Sequence, residues 1–272
     1  MMAKNGKPVA LVTGASSGIG EAIARRLVEA GYQVLGTSRR TTSSSRFPFD
    51  LLQLDVTSDL SVNETVAEII RRHGRLDLLV NNAGFNFSVG GAEESSIQQA
   101  KDIFDTNFFG IVRTTLAVVP HMRRQRSGHI INIGSVLGFM PMPYMALYAA
   151  TKHAIEGYSV SLDHELRTMG IRVSVIEPAF MKTGIDANSR DLDSKLDEYR
   201  EVRTAVDKRV KQMLDMAEDP NVVADTVLKV ATAGHPKTRY TSGTAAARLR
   251  LMHTFLPDSV LDAGIRKQLR IA

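Results

Sequence analysis

The chain is predicted to be α/β: a doubly wound parallel sheet of the Rossmann type in a single domain, 1–272, with a substrate lid and a C-terminal helical extension. Three observations support this. Short apolar runs alternate with segments of helical spacing along the chain, the pattern of successive βα units. The first run, Val9-Ala-Leu-Val12, passes directly into the glycine-rich turn Thr13-Gly-Ala-Ser-Ser-Gly-Ile-Gly20 and then into a helical pattern. No repeat or interdomain linker divides the chain, and Thr41-Thr-Ser-Ser-Ser45 reads as a polar surface loop.

Taken in order, Val9–Val12 is a short buried strand bounded by its turn. Glu21–Ala30 carries Ile23, Leu27 and Val28 at helical spacing. Gln33–Thr37 is the second strand and Leu51–Leu54 the third, with a helix near 58–73. Leu76–Val80 is the next strand, followed by a helix near 97–125. His129–Ile133 precedes a helix at 147–169, where Ala149, Ala154, Ile155, Leu162 and Leu166 recur until Gly170 stops it. Arg172–Ile176, a helix near 219–232 and Arg239–Thr241 complete the series. Such units imply a parallel sheet covered on both faces.

The glycine turn carries Gly14, Gly18 and Gly20, spaced Gly-x3-Gly-x-Gly rather than Gly-x-Gly-x-x-Gly. An ordinary tight turn could hold the same glycines. Between a strand and a helix, however, small residues let the backbone approach a pyrophosphate, and the helix N-terminus offers free N–H groups. An acidic residue at the end of the second strand would hold the ribose 2′-hydroxyl of NAD. This chain has Ser38-Arg39-Arg40 there. Two guanidinium groups suit a 2′-phosphate, so NADP(H) is the expected cofactor. The alternative is two solvated arginines opening a loop.

Tyr148 and Lys152 stand at i and i+4, on one helix face. An ammonium beside a phenol favours the phenolate and lowers its pKa, and a tyrosine tuned in this way can exchange a proton with a carbonyl or alcohol oxygen. Ser135 can donate a hydrogen bond to that same oxygen. Such a Tyr-Lys pair occurs on many helices by chance; together with Ser135 and the glycine turn it is specific.

At these residues the chain resembles the short-chain dehydrogenase/reductase family. The shared motifs are Thr13-Gly-x-x-x-Gly-x-Gly20, Asn81-Asn-Ala-Gly84, Asn107, Ser135, Tyr148-x-x-x-Lys152 and Pro178, with Asp55-Val56 similar to the adenine-contacting pair. The resemblance implies that Tyr148 donates or accepts the proton and that Ser135 polarises the substrate oxygen. Lys152 would bind the nicotinamide ribose and depress the Tyr148 pKa, and Asn107 would hold a water of the proton relay. It also implies that the cofactor lies along Gly14, Ser16, Ser17, Gly18, Ile19, Gly20, Ser38, Arg39, Arg40, Asp55, Val56, Asn82, Ala83, Gly84, Pro178 and Thr183. One departure is Pro178-Ala179, where relatives commonly have Pro-Gly.

The chain is long enough to bury one large core. It has no cysteine, which excludes disulfides, thiolate metal sites and a cysteine nucleophile and agrees with a cytoplasmic location. The polar start at Met1–Lys7 and the break at Gly14 exclude a signal h-region or a membrane span there. The net charge of +5 fits a solvated surface and cofactor-phosphate arginines, since no basic stripe with interleaved aromatics points to nucleic acid. The seven histidines have no metal-ligand spacing, so no metal is expected.

Two regions fall outside the family core. In 184–216, Leu192, Leu196, Tyr199, Val202, Val206, Val210 and Met213 form a helical stripe, read as a substrate lid or else a helix packed on the core. In 243–272 apolar and basic residues mix, and Pro257 and Gly264 should break the segment into short pieces. Packing on the body or on a partner subunit is expected over lying on a membrane. The expected substrate is a bulky, largely apolar carbonyl or alcohol, steroid-, retinoid- or long-chain-like. This follows from the apolar, Met-rich segment between Ser135 and Tyr148, from Phe85 and Phe87, and from Phe180 and Met181, which the resemblance implies all approach the nicotinamide. The contrasting reading is a redox-inactive nucleotide-binding regulator on the same fold. A homodimer or homotetramer is expected, and the resemblance implies pairing through the helices bearing Asn107 and Tyr148.

Overall fold

The computed structural model describes residues 6–40, 44–183, 189–269 and 271. The strands are β1 (Val9–Val12), β2 (Gln33–Ser38), β3 (Asp50–Gln53), β4 (Leu78–Asn81), β5 (Gly128–Ile133), β6 (Ile171–Pro178) and β7 (Arg239–Ser242). The helices are α1 (Gly18–Glu29), α2 (Asp59–His73), α3 (Ile97–Phe104), α4 (Gly110–Gln125), α5 (Ala146–Leu166), α6 (Arg200–Asp215), α7 (Asn221–Ala231), α8 (Thr244–Phe255) and α9 (Asp258–Leu269). Among the described residues the strands form one sheet in the order β3-β2-β1-β4-β5-β6-β7. Every pairing is parallel, as in Ala10 with Val34 and Leu78.

The apolar strand runs are buried on both faces. Ile23 and Leu27 of α1 and Val223 and Val227 of α7 cover one side with Val12, Val80 and Ile131. Val66 of α2, Val118 and Met122 of α4 and Leu162 of α5 cover the other with Leu11, Leu79 and Ile130. Each fully buried Leu or Ile contributes about 1.5–3 kcal/mol. Fully buried Asp163 ties α5 to β6, accepting from Val173 N and Arg172 Nε at 2.9 Å and from Arg167.

Three sequence expectations are corrected. The helix over 97–125 is interrupted by a π turn at Asp105–Phe109, which carries Asn107. In the region read as a lid, Asp197–Tyr199 forms a 3-10 turn and Arg200–Asp215 an α-helix; residues 184–188 lie outside the described residues. Leu192 and Leu196 of the expected helical stripe lie ahead of these in a strap that is not helical. Ser88 N donates to Arg190 O at 2.9 Å, Leu196 N donates to Glu94 Oε1 at 2.8 Å, and Leu192 packs with Phe85 and Phe87. These long-range contacts override the stripe. Finally, Pro257 separates α8 from α9, but Gly264 lies within α9 without breaking it. Glycine costs a helix only about 1 kcal/mol relative to alanine, and Ile265 and Leu269 hold α9 against Val206 and Val210 of α6. The extension therefore packs on the body. No helix among the described residues is long and apolar enough to cross a membrane.

Candidate active site

All the expected site residues stand at or just beyond the carboxyl ends of the parallel strands or on the helices that follow them. Gly14 takes φ +66°, and a Cβ there would come within 3.0 Å of Ala83 Cα. Two side chains hold this approach. Thr13 Oγ1 accepts from Asn82 N at 2.9 Å and Ala83 N at 3.0 Å, and Asn82 Nδ2 donates to Thr13 O at 3.0 Å and Gly14 O at 3.1 Å. At Gly20 there is likewise no room for a side chain, because Gly14 O and Asn82 Nδ2 occupy the space. Ser17 caps α1 without a side-chain hydrogen bond among the described residues. The first turn of α1 therefore presents N–H groups and a partial positive charge beside Ser16, Gly18 and Ile19. This is a cradle that fits a pyrophosphate.

Ser38, Arg39 and Arg40 close β2, and both arginines are exposed at that edge. Asp55 Oδ1 accepts from Thr57 N at 2.9 Å and Thr57 Oγ1 at 2.8 Å, shaping the turn before buried Val56.

A cavity of about 320 Å³ opens beside the cradle and brings together Ile19, Asn82, Gly84, Asn107, Ser135, Tyr148, Lys152, Pro178 and Thr183. Gly14, Ser16, Ser17, Gly18, Gly20, Ser38, Arg39, Arg40, Asp55, Val56 and Ala83 do not line it; they extend along the strand ends toward β2 and β3. Apolar side chains form much of its wall: Phe85, Phe87, Val89, Leu137, Met145, Phe180 and Met181. Helix α6 adds Val210 and Leu214 together with the ion pair Asp207–Lys211 at 2.7 Å. Sequence reading did not place this pair in the cavity, because only the return of α6 over the strand ends brings it there.

Burial pushes the Tyr148 phenol up to about 12, and its hydrogen bond with Ser135 acts in the opposite direction. Burial likewise draws Lys152 down to about 8, opposed by the charge of Glu156. The expected lowering of the Tyr148 pKa by Lys152 is thus not what this arrangement gives. Lys152 Nζ lies over the Tyr148 ring, 5.4 Å from its centroid, and donates to Ile133 O at 2.9 Å. The ammonium faces the ring and the strand end, so desolvation governs the hydroxyl. The Asn107 amide is committed to the Phe85 backbone. Nδ2 donates to Phe85 O at 2.9 Å and Oδ1 accepts from Phe85 N at 3.0 Å.

Beneath the cavity lie two buried carboxylates that sequence reading missed. Glu177 precedes Pro178 and pairs with Arg250, while Glu156 Oε2 accepts from Arg239 Nε at 2.9 Å. A glutamate closing the apolar run Val173–Ile176 was the available signal. Burial first, then the Glu156 charge, pushes Glu177 up to about 7, against the pull of Arg250.

A model of short chain dehydrogenases matches residues 8–193. The chain is 34% identical over 262 residues to a 3-ketodihydrosphingosine reductase of Bacteroides thetaiotaomicron, covering 95% of this chain and 96% of the relative. Its fold is similar to a short-chain dehydrogenase from Streptomyces avermitilis, with TM-score 0.81, 31% identity and 98% of both chains covered. It is also similar to the closed form of a serine dehydrogenase complexed with NADP+, with TM-score 0.74, 29% identity, and 86% of this chain and 93% of the other covered.

The Glu177 carboxyl gives a testable pH dependence. Unfolded, it ionises near its ordinary 4.5; folded, it keeps its proton to about 7. The folded chain holds the extra proton across that window, so this group's contribution to stability falls as pH rises through it and is fully lost above about 7. Glu177→Gln should flatten the decline in melting temperature between these pH values, as read by circular dichroism. A slope identical to that of the parent chain would refute the assignment.

Proposed function

Since the chain belongs to the short-chain dehydrogenase/reductase family of oxidoreductases, we propose that it is an NADPH-dependent reductase of carbonyl groups on bulky, largely apolar substrates. The observation that carries this reading is the cavity in which Ser135, Tyr148 and Lys152 meet an apolar wall. The bound nicotinamide would supply the hydride. Gly14 to Gly20 and the first turn of α1 would hold the pyrophosphate, and Arg39 and Arg40 the 2′-phosphate. Asn82, Ala83 and Gly84 would flank the adenine-side ribose, Asp55 and Val56 the adenine, and Thr183 the carboxamide.

Ser135 would donate a hydrogen bond to the carbonyl oxygen, and Tyr148 would give that oxygen its proton. With its phenol at about 12, Tyr148 is protonated near neutral pH and suited to act as an acid. Lys152, at about 8, is largely an ammonium there; it would hold the ribose and stabilise the phenolate left after proton transfer. Asn107 fixes the Phe85 backbone at the cavity wall. In the opposite direction the same residues would oxidise an alcohol. A redox-inactive regulator would have no use for this constellation.

The relatives named above act on unlike molecules, a 3-keto long-chain base and serine, so the substrate must be argued from this cavity. Its walls of Phe85, Phe87, Leu137, Met145 and Phe180 suit a long-chain, steroid- or retinoid-like group. The placement of Val210 and Leu214 supports 184–216 as its cover. An assembly of dimers or tetramers paired through α4 and α5 is supported by exposed Phe109 beside α4, Leu116 on α4, and exposed Gly157 and Ser161 on α5.

Tyr148→Phe should abolish turnover by about 10²–10⁴-fold while NADPH binding persists, because only the proton donor is lost. Near-normal turnover would defeat the acid assignment and favour the regulator. Arg39→Asp should shift the NADPH-to-NADH ratio of kcat/KM by about tenfold or more, the cost of one hydrogen bond to a charged group. An unchanged ratio makes Arg39 a surface charge. Along a ketone series kcat/KM should climb with chain length, by about tenfold over a few methylenes, whereas a preference for small polar ketones overturns the apolar reading. Light scattering at micromolar concentration should show a dimer or tetramer; a monomer alone contradicts the pairing.

A further inference from the structure

One side chain of the C-terminal extension meets residues that adjoin the wall of the catalytic cavity. The Arg250 guanidinium, on α8, lies 3.7 Å from the Phe139 ring centroid and donates through Nη2 to Glu177 Oε1. Phe139 follows the short turn after Ser135, in which Gly138 N donates to Ser135 O at 2.9 Å and Leu137 N to Ser135 Oγ at 3.1 Å. Glu177, 0% exposed, immediately precedes Pro178 of the cavity wall. One planar cation therefore joins the segments leaving β5 and β6. A guanidinium can stack through its face and hydrogen-bond through its edge at the same time, which an ammonium cannot.

The surroundings are largely apolar. Ala246 and Leu249 of α8 pack with Val136, Leu137 and Phe139. Glu156, one turn beyond Lys152, is held by Arg239. Glu156 Oε1 and Glu177 Oε2 have no hydrogen-bond partner among the described residues. Loss of Arg250 would leave the Glu177 carboxyl buried without its partner next to the Pro178 loop and release the ring behind Ser135.

We propose that Arg250 is a positioning residue for carbonyl reduction, fixing the Ser135 turn against the Pro178 loop, so that the C-terminal extension is part of the active-site scaffold. This rests on the reading of the cavity as a carbonyl reductase site. The competing role is purely structural: Arg250 would only neutralise Glu177.

The double variant Arg250→Ala/Glu177→Gln separates the two, because it replaces the stranded carboxyl with a neutral amide without restoring the clamp. Arg250→Ala alone should lower both melting temperature and kcat. In the double variant the melting temperature should return to within about 2 °C of the parent chain. Its kcat should stay down by at least about tenfold, as sub-ångström misplacement produces, with the NADPH dissociation constant near that of the parent. Backbone hydrogen exchange should be faster at 135–142 and 178–183 and unchanged elsewhere. Recovery of kcat together with stability, or unaltered exchange in those segments, would overturn the proposal. If the parent chain reduces none of a ketone and aldehyde panel, the reductase reading fails on its own, and the exchange measurement still decides the clamp.

Discussion

Because all the strands run in one direction, their carboxyl ends share one edge of the sheet, and everything chemical in this protein follows from that constraint. Thr13, Ser38, Asn82, Ser135 and Pro178 come from distant parts of the sequence yet stand at or just beyond the ends of neighbouring strands. The strand order places β1 between β2 and β4. The chain crosses over there, leaving a crevice above the strand ends where a ligand can lie. The Thr13–Asn82 hydrogen bonds then set how closely the glycine turn approaches the loop beyond β4. Backbone contact this close leaves no room for side chains, which is why glycine occupies those positions.

The electrostatics of the cavity are governed by desolvation rather than by neighbouring charge. Tyr148 and Lys152 are both driven toward their neutral forms, one up and one down. A phenol held protonated next to a lysine of lowered pKa is a donor whose conjugate base can be stabilised by a charge already in place. The Glu156 charge opposes the lowering at Lys152, and Glu156 and Glu177 each depend on an arginine from the last strand or beyond it. The C-terminal third of the chain thus bears on the site twice. Arg239 and Arg250 approach from below, and α6 lies across the opening.

The glycine turn, the Ser-Tyr-Lys constellation, the strand periods and the doubly wound architecture were legible in the residue order, because each is encoded locally: strands by unbroken apolar runs, helices by their spacing, the cradle by its glycines. The same local logic erred where distant contacts prevailed. The apolar stripe from Leu192 was pinned as a strap by Glu94, Asn86 and Phe85. Gly264 remained helical because Ile265 and Leu269 found α6. Only the tertiary structure decided the direction of the Tyr148 shift, since burial and the orientation of the Lys152 ammonium over the ring depend on how α5 packs against β5. Only it joined Arg250 to Glu177 and Asp207 to the cavity wall, because such pairs leave no periodic trace in the chain and arise when separate elements meet at the same edge of the sheet.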